Sequence, residues 1–443
     1  NSIILKIKNT ALTTVAIFIC SSMLFADDEL KSINLNLENL MDYIAQNNVQ
    51  IANQRDNLRY TKHQIDETKS VSRPAVTLSS DYTRSKSGSE SGNSGPFNYY
   101  DYKINLVQPL FTYGKISSAI KIAEYYYNRA EYDYKNTVKS VELAAAQMLY
   151  SIILFQHQKE ILLSTENTYS EHLANVKIRY DAGDATKVDY LSAKVNYELM
   201  KPQIIAIENR IENMKNELKL LLNLDLTARL IINEEIATPE SLKEPINKDA
   251  LISVALKNNE NISRLESTIK ISELQKKIAA NELRPSVNLI ANYGGGAKTA
   301  EKIFDRKNEN ALIGVNINFP LFDGFKAKNQ VAEFDIELST EKRNLKLLKD
   351  TISKDIENKL NDLIQISKLI KSNEYVLEQA NESFRITKEN YNAGASINLD
   401  VIEAEKNRLA AKLSLIEAKY NYIIATLELK KMLGVKLTDK AIN

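Results

Sequence analysis

Few residue types in this sequence could support chemistry, and none of them stands in a catalytic pattern. The three histidines, His63, His157 and His172, lack metal-ligand spacing, so each is predicted to lie on a helix surface. The segment GGGAKT at 294–299 resembles a phosphate-binding loop, but that loop needs glycine directly before the lysine, where Ala297 stands. No Gly-x-Ser-x-Gly elbow, cysteine pair or zinc-binding helix motif occurs. The sequence therefore predicts no enzyme, cofactor, metal or nucleotide site.

Two matching segments raise a different question, because a glycine interrupts a helical pattern in each. YDAGDATKVD, ending at Asp189, and YNAGASINLD, ending at Asp400, place an aspartate six positions after the glycine. Glycine reaches the left-handed backbone region without a Cβ penalty, so Gly183 and Gly394 predict chain reversals between helices. An acid near the start of a returning helix complements the helix dipole, and Thr186 with Asp189 forms a capping-box pattern.

The two glycines are 211 positions apart (394 − 183 = 211), and this interval recurs along the chain. RPAVTL at Arg73 matches RPSVNL at Arg284, and LLNL matches MLGV at the same spacing. QPLF and FPLF place Pro109 and Pro320 at this interval too, where each predicted strand meets a helix. Such constancy over most of the chain indicates an internal duplication.

Each half reads as helix, strand, strand, long helix, glycine turn and long helix. Apolar and polar residues alternate with period two in the strand segments, which is typical of membrane barrel strands. Apolar residues at steps of three and four predict coiled-coil packing of the long helices, and Pro202 predicts a kink in one of them. The predicted first helices are 38–70 and 247–282, and the predicted strands are 75–83, 100–108, 286–293 and 311–319.

The start of the sequence differs from the rest. Residues 1–26 contain two lysines, an apolar run and small residues, as in a secretory signal peptide cleaved after Ala26. Lipidation of Cys20, the single cysteine, is the lesser alternative, because the bulky Ile17, Phe18 and Ile19 precede it. No later run of about 18 apolar residues predicts a transmembrane helix. The formal charge of +1 argues against a nucleic-acid partner.

The predicted organisation after the signal peptide has four parts. Residues 27–224 form the first repeat, 225–246 an inter-repeat segment, 247–435 the second repeat, and 436–443 a C-terminal tail. Four strands cannot close a barrel, and open strand edges in lipid would leave backbone groups unsatisfied. Three copies would supply 12 strands, which lies in the range of outer-membrane barrels.

The sequence resembles the TolC-like family of outer-membrane efflux and secretion channels. The resemblance lies in the duplicated layout, the RPxVxL strand openings, the QPLF and FPLF junctions and the AGxxxxxD turns. The resemblance covers nearly all of the chain after residue 26. It implies a mainly α-helical homotrimer with a 12-stranded barrel in the outer membrane lipid and a 12-helix tunnel across the periplasm. It also implies two partners: a periplasmic adaptor, and an inner-membrane RND or ABC-type transporter that supplies the energy.

The resemblance assigns roles to the turns. Ala182, Gly183, Ala393 and Gly394 would form the periplasmic tip where the adaptor docks, although each glycine is also explained as a simple helix terminus.

The same resemblance places acidic residues at the tunnel's constriction. Asp189, Asp400 and Glu403 would form rings in a trimer that attract cations, with helix capping as the alternative for the aspartates. Tyr391 matches a tyrosine that helps to close the tip, and packing between helices is its alternative role. Family members carry an arginine where this chain has Ser396, so the charged part of that closing latch is absent.

The predicted function is a passive exit duct for drugs or other small molecules, located in the outer membrane with a large periplasmic part. The duct of a type I protein secretion system is the alternative within this class. In a different class, the chain would be a structural helical-bundle protein or adhesin, but a pure coiled coil has no use for paired alternating strands.

Overall fold

The computed structural model describes residues 32–86, 96–234 and 247–439. The predicted signal peptide lies outside these residues, as do parts of the first inter-strand loop, the inter-repeat segment and the C-terminal tail. Those predictions stay predictions.

The described residues contain six strands and nine α-helices, and the predicted order of helix, two strands, long helix, turn and long helix occurs twice among them. This confirms the fold class as mainly α-helical with a small β part, built from a duplicated unit. The elements are β1 (Ser32–Leu35), α1 (Leu37–Asn47), α2 (Val49–Ser70), β2 (Ala75–Ser85), β3 (Phe97–Phe111), α3 (Lys115–Ala182), α4 (Lys187–Glu198), α5 (Met200–Leu221), β4 (Arg229–Ile232), α6 (Lys248–Asn258), α7 (Glu260–Ala280), β5 (Ser286–Ala297), β6 (Glu309–Asn318), α8 (Lys326–Asn392) and α9 (Asn398–Leu433).

The chain divides into two compact units. The described residues of the tip unit are 32–43, 145–234 and 374–420, and they include both glycine turns and the pair β1–β4. The described residues of the sheet unit are 44–144, 247–373 and 421–439, and they include the other four strands.

The four-stranded sheet has the order β2-β3-β5-β6, and every neighbouring pair is antiparallel. Its register sorts the side chains by face. One row across the sheet runs Leu78, Ile104, Tyr293 and Ala311, and the adjacent row runs Thr77, Asn105, Asn292 and Leu312. One face is therefore almost wholly apolar and the other mostly polar, as the period-two pattern predicts.

The glycines of GGGAKT lie in a strand, so the predicted strand 286–293 is longer than the sequence pattern indicates. Strand β5 continues to Ala297, and β6 begins at Glu309. A Cβ at Gly294 would meet the backbone of Tyr102, and one at Gly296 would meet the Tyr99 ring. The glycines are thus explained by the close approach of β3.

The helix predicted at the start of each repeat is two helices in the structure. The breaks fall at Asn48 and Asn259, which have extended backbones and again lie 211 positions apart. The side chain of Asn48 accepts a hydrogen bond from the Ile51 N–H, and that of Asn259 accepts one from the Ile262 N–H. Each asparagine is therefore the N-cap of a new helix.

The helix in which Pro202 predicts a kink is interrupted at Leu199, between α4 and α5, although the backbone of Leu199 stays in the right-handed helical region. Proline has no N–H to donate to the carbonyl of Glu198, so the helical ladder loses a bond there. The matching position in the second repeat is Leu413, and α9 passes through it without a break.

Every described residue with positive φ has a counterpart 211 positions away. The pairs are Tyr113 with Gly324, Gly114 with Phe325, Gly183 with Gly394, and Asn223 with Gly434. Two buried lysines keep the interval as well, because Lys219 Nζ donates to the Leu226 carbonyl and Lys430 Nζ to the Leu437 carbonyl. The duplication therefore extends to individual backbone conformations and hydrogen bonds.

Strands β1 and β4 were not predicted. They pair in parallel over four residues, with Ile33 opposite Leu230, and the Asn233 N–H donates to the Leu35 carbonyl. Strand β4 lies in the segment predicted only as an inter-repeat connection.

Among the described helices, only α3 contains a window long and apolar enough to cross a membrane, and half of that window is buried within the chain. Packing against neighbouring helices accounts for that composition.

Gly394 and Gly434 differ in the space around them, so we expect a Cβ methyl group to lower the free energy of unfolding by different amounts at the two sites. Gly394→Ala meets no atom within 4 Å, so it should lower the free energy of unfolding only by left-handed strain, about 1–2 kcal/mol. Gly434→Ala adds a clash with Asn258, whose amide donates to the Leu433 carbonyl, and should cost about 1–3 kcal/mol more. Thermal unfolding of the two purified variants measures the difference. A loss for Gly394→Ala that equals the loss for Gly434→Ala contradicts this account.

Candidate functional site

The two predicted reversals are helix C-termini of the Schellman type. The N–H of Gly183 donates to the Tyr180 carbonyl at 3.0 Å, and the N–H of Asp184 donates to the Arg179 carbonyl at 2.8 Å. Gly394 repeats the pattern with the carbonyls of Tyr391 and Asn390. The φ angles of 88° and 80° at the two glycines confirm the predicted left-handed turns. Ala182 and Ala393 directly precede the glycines and are exposed.

Both aspartates cap the helices that return from these turns. Asp189 forms a full capping box with Thr186, because each residue's side-chain oxygen accepts the other's backbone N–H. In the second repeat Ile397 replaces the threonine, so only half of the box remains: Asp400 Oδ2 accepts the Ile397 N–H at 3.1 Å. Asp400 and Glu403 are exposed in the single chain, whereas Asp189 is half-buried. Helix capping therefore gives each aspartate a structural role, but it gives none to Glu403.

Tyr391 and Tyr180 hold matching sequence positions but have different surroundings. Tyr391 is 5% exposed and packs with Val176, Phe384 and Val401. Tyr180 is 38% exposed and stacks on Tyr190 with ring centroids 5.6 Å apart. Tyr391 thus has the interhelical packing role that its alternative interpretation expects.

Arg179 is the cation that joins the two turns, and sequence reasoning missed it. Its guanidinium carbon lies 4.6 Å from the centroid of the Tyr391 ring, and Nη2 donates to the Asn392 carbonyl at 3.2 Å. It therefore satisfies a carbonyl at the end of α8 and adds a cation–π contact. Ser396 is half-buried. No sequence signal pointed to Arg179, because its partners lie more than 200 positions away.

His172 is buried, which corrects its prediction as a helix-surface residue; it is 5% exposed, whereas the side chain of His157 is 39% exposed. Its Nε2 lies 2.7 Å from Asn398 Oδ1, and Asn398 Nδ2 donates to the Asp189 carbonyl at 3.2 Å. Burial lowers the pKa of His172 and nearby Lys388 lowers it further, while the bond to Asn398 raises it. His172 is therefore neutral at pH 7.

The two junction prolines differ in position. Pro109 lies inside β3 at an irregularity of the β3–β5 register, whereas Pro320 follows the end of β6. Proline has no N–H for a ladder bond, which makes a bulge or a strand end its usual place.

The described residues contain no group of three or more His, Cys, Asp or Glu side chains that could hold a metal ion. What they do contain is a sheet with an apolar face and paired long helices that reverse at glycine turns. That combination is the fold class of outer-membrane exit channels.

Comparison with known proteins agrees with this class. The sequence profile of the outer membrane efflux protein family matches residues 40–224 and 251–435, one match for each repeat. The chain is 22% identical over 367 residues to the alkaline protease secretion protein AprF of Pseudomonas aeruginosa, covering 80% of this chain and 74% of the relative. It is 21% identical over 383 residues to the outer membrane protein TolC of Escherichia coli, covering 84% and 76%.

The fold also matches solved structures. The outer membrane protein VceC of Vibrio cholerae superposes with a TM-score of 0.80 at 19% identity, covering 90% of this chain and 96% of that one. The chain belongs to the outer membrane efflux protein family, whose members are TolC-like channels and not enzymes. Its place is therefore the outer membrane, with a periplasmic helical extension.

The unequal burial of the two turn tyrosines gives a direct test. Tyr391→Ala removes a buried ring and the surface under Arg179, so it should lower the free energy of unfolding by about 3–5 kcal/mol. Tyr180→Ala at the matching position should cost about 1 kcal/mol or less, because that ring is exposed. Thermal unfolding, with amide exchange near the turns, measures both. Equal losses would show that Tyr391 is not a packing residue of its own chain.

Proposed function

We propose that three copies of this chain close one 12-stranded barrel in the outer membrane and act as a passive exit duct for small molecules. The observation that carries the proposal is the four-stranded sheet, which has one apolar face, one polar face and two outer strands without a neighbour in the described chain. An apolar outer face suits lipid, and a polar inner face suits a water-filled channel.

The apolar face is continuous across all four strands. Ile313, Val315 and Ile317 on β6 are more than half exposed, and so are Val76 and Leu78 on β2. No described element covers these side chains. Large exposed apolar surfaces on a single chain mark a membrane or protein interface.

The strand order favours closure by further copies. Strands β2 and β6 form the two edges of the sheet, and all neighbours are antiparallel, so β6 of one copy and β2 of the next would also run antiparallel. Each edge would then find backbone partners that lipid does not provide. Three copies give 12 strands, an even number within the known range of such barrels.

Aromatic side chains mark both ends of the apolar face. At the loop end, Tyr82 lies against Tyr100 with centroids 4.9 Å apart, and Tyr102 lies against Phe304 at 5.1 Å. At the helix end, edge-to-face contacts join Phe111 with Tyr113 and Phe322 with Phe325. Aromatic residues in such belts sit at the membrane–water interfaces.

Neighbouring residues on opposite faces test the barrel. Val315→Lys places a charge on the lipid face and should destabilise the folded barrel by about 2–4 kcal/mol, whereas Asn316→Lys faces the channel and should cost little. Detergent-extracted outer membranes are assayed for a complex of three chains by native mass measurement, and the purified complex for conductance in planar bilayers. Loss of trimer with Val315→Lys alone is expected. A monomeric wild-type protein, or equal effects of the two variants, would contradict the proposal.

The tip would be the docking surface for the periplasmic adaptor, through the exposed turns at Ala182, Gly183, Ala393 and Gly394. This role rests on family likeness, and an inner-membrane RND or ABC-type transporter would drive transport, because no nucleotide-binding pattern occurs in the sequence. Efflux matches the family description, and drug efflux is favoured by the name of one relative, the antibiotic efflux pump outer membrane protein ArpC of Pseudomonas putida. The type I secretion alternative is favoured by the name of AprF, a protease secretion protein. Deletion of the gene separates the two: drug sensitivity supports efflux, and loss of one secreted protein supports secretion.

Asp189, Asp400 and Glu403 would line the constriction of the assembled tunnel. Asp400 and Glu403 are exposed in the single chain, which leaves them available for this role, and Asp189 is half-buried. Glu403 lies three residues after Asp400, on the same face of α9. Three copies would concentrate negative charge at a narrow mouth and attract cations. Tyr391 would support the closed tip from within its own chain, and Ser396 would take part only through polar contacts.

The double variant Asp400→Asn, Glu403→Gln should weaken block by a polyvalent cation about tenfold or more, because it removes six charges from the trimer. Asparagine keeps an oxygen for the Ile397 N–H, so the cap is largely preserved. Glu417→Gln, an exposed acid further along α9, is the matched control and should leave block unchanged. Single-channel recording measures the effect. Unchanged block in the double variant would remove these acids from the constriction.

A further inference from the structure

A buried series of hydrogen bonds in the tip unit connects Asp189 with the start of the helix that carries Asp400. Nothing in the proposed duct accounts for it. It runs from His172 of α3 to Asn398, the first residue of α9, and on to the backbone carbonyl of Asp189 in α4. His172 and Asn398 are 5% and 4% exposed. Buried side-chain hydrogen bonds of this kind fix the geometry of the groups they join.

The direction of each hydrogen bond follows from the chemistry of the groups. A peptide carbonyl only accepts, so the Asn398 amide nitrogen must face Asp189. The Asn398 oxygen then faces His172, and the Nε2 atom of His172 must carry the proton that it donates. His172 thereby determines which way the Asn398 amide points.

Asn398 lies two residues before Asp400 and holds the peptide of Asp189, so it joins the acidic positions of the two repeats. We propose that Asn398 and His172 are positioning residues that keep Asp189 and Asp400 in fixed register within one protomer, and that protonation of His172 releases this register. The proposal rests on the proposed constriction for its consequence in transport.

The charged groups around His172 disfavour a second proton on it. From α8, Tyr391 contacts the imidazole edge-to-face at 5.2 Å, and Lys388 brings a positive charge. From α3 itself, Arg179 lies over the same Tyr391 ring, and Glu171 is engaged with Lys388 at 3.5 Å. From α4, Asp189 offers its backbone oxygen to Asn398 and uses its carboxylate in the capping box. From α9, Asn398 is the neutral partner.

The sign of the pH effect follows from these surroundings. The buried form has a pKa below the ordinary value of His172, so a form that exposes the imidazole binds a proton more readily. Well above pH 6.5 both forms are neutral and acid has no influence. As the pH falls below that value, protonation stabilises the exposed form and therefore favours release.

This series of hydrogen bonds occurs in one repeat arrangement only and is not duplicated between the repeats. The position that matches Asn398 in the first repeat is Lys187, and the position that matches His172 in the second is Ser383. Both Lys187 and Ser383 are exposed. The duplication therefore does not explain the pair, and a general requirement of the glycine turn does not explain it either.

Amide hydrogen exchange on the full-length purified protein tests the proposal directly. Corrected for intrinsic exchange, the wild type should lose protection at the starts of α4 and α9 by about tenfold between pH 7.5 and pH 5.5. His172→Gln keeps an N–H donor for Asn398 and does not titrate, so its protection should stay constant. His157→Gln, on the exposed part of the same helix, should behave as the wild type. If His172→Gln keeps the acid-dependent loss, the proposal is overturned.

Conductance separates this proposal from the constriction itself. Asn398→Ala should weaken polyvalent-cation block about tenfold at pH 7.5, and native mass measurement establishes that its trimers form. If Asp400→Asn, Glu403→Gln weakens block but Asn398→Ala does not, the constriction stands and the positioning role is overturned. If neither variant changes block, the constriction fails, and the exchange measurement alone decides whether His172 and Asn398 hold the turns together.

Discussion

The left-handed backbone conformation at four matched pairs of residues is the constraint on which the rest of this structure depends. An α-helix of nearly 70 residues has no internal reason to stop, and α3 and α8 contain no proline or glycine that would end them early. Each begins after a left-handed pair, at Tyr113 and Gly114 or at Gly324 and Phe325, and each ends at a left-handed glycine. These conformations set where strand becomes helix and where helix reverses.

The tip is held together by uncharged and cationic groups within one chain. Arg179 reaches from the first turn to the ring of Tyr391 and to a carbonyl of the second turn, while His172 and Asn398 join α3, α4 and α9. The carboxylates of Asp189 and Asp400 accept backbone N–H groups at the starts of the helices that return from the turns. Within this chain, Arg179 is thus the cation that connects the two turns.

Much of this architecture follows from local sequence signals. The strands were predictable because their alternation matches the pleat, and the turns because glycine follows a helical pattern at the same interval. The helix breaks at Asn48 and Asn259 were not, because an asparagine within an otherwise helical pattern costs little and gives no clear stop. The burial of His172 and the contact of Arg179 were beyond reach for another reason. Their partners lie more than 200 positions away, and only the packing of the two repeats brings them together.

The interruption at Leu199 makes the two repeats mechanically unequal. In the first repeat, the helix that leaves the turn is interrupted between α4 and α5. Pro202 leaves one main-chain carbonyl there without its helical donor. In the second, α9 is a single stiff rod of 36 residues. We therefore expect the helix that leaves the first turn to bend more easily near Pro202 than α9 does near Leu413. Two halves with matching sequence patterns thus differ in how flexible their returning helices are.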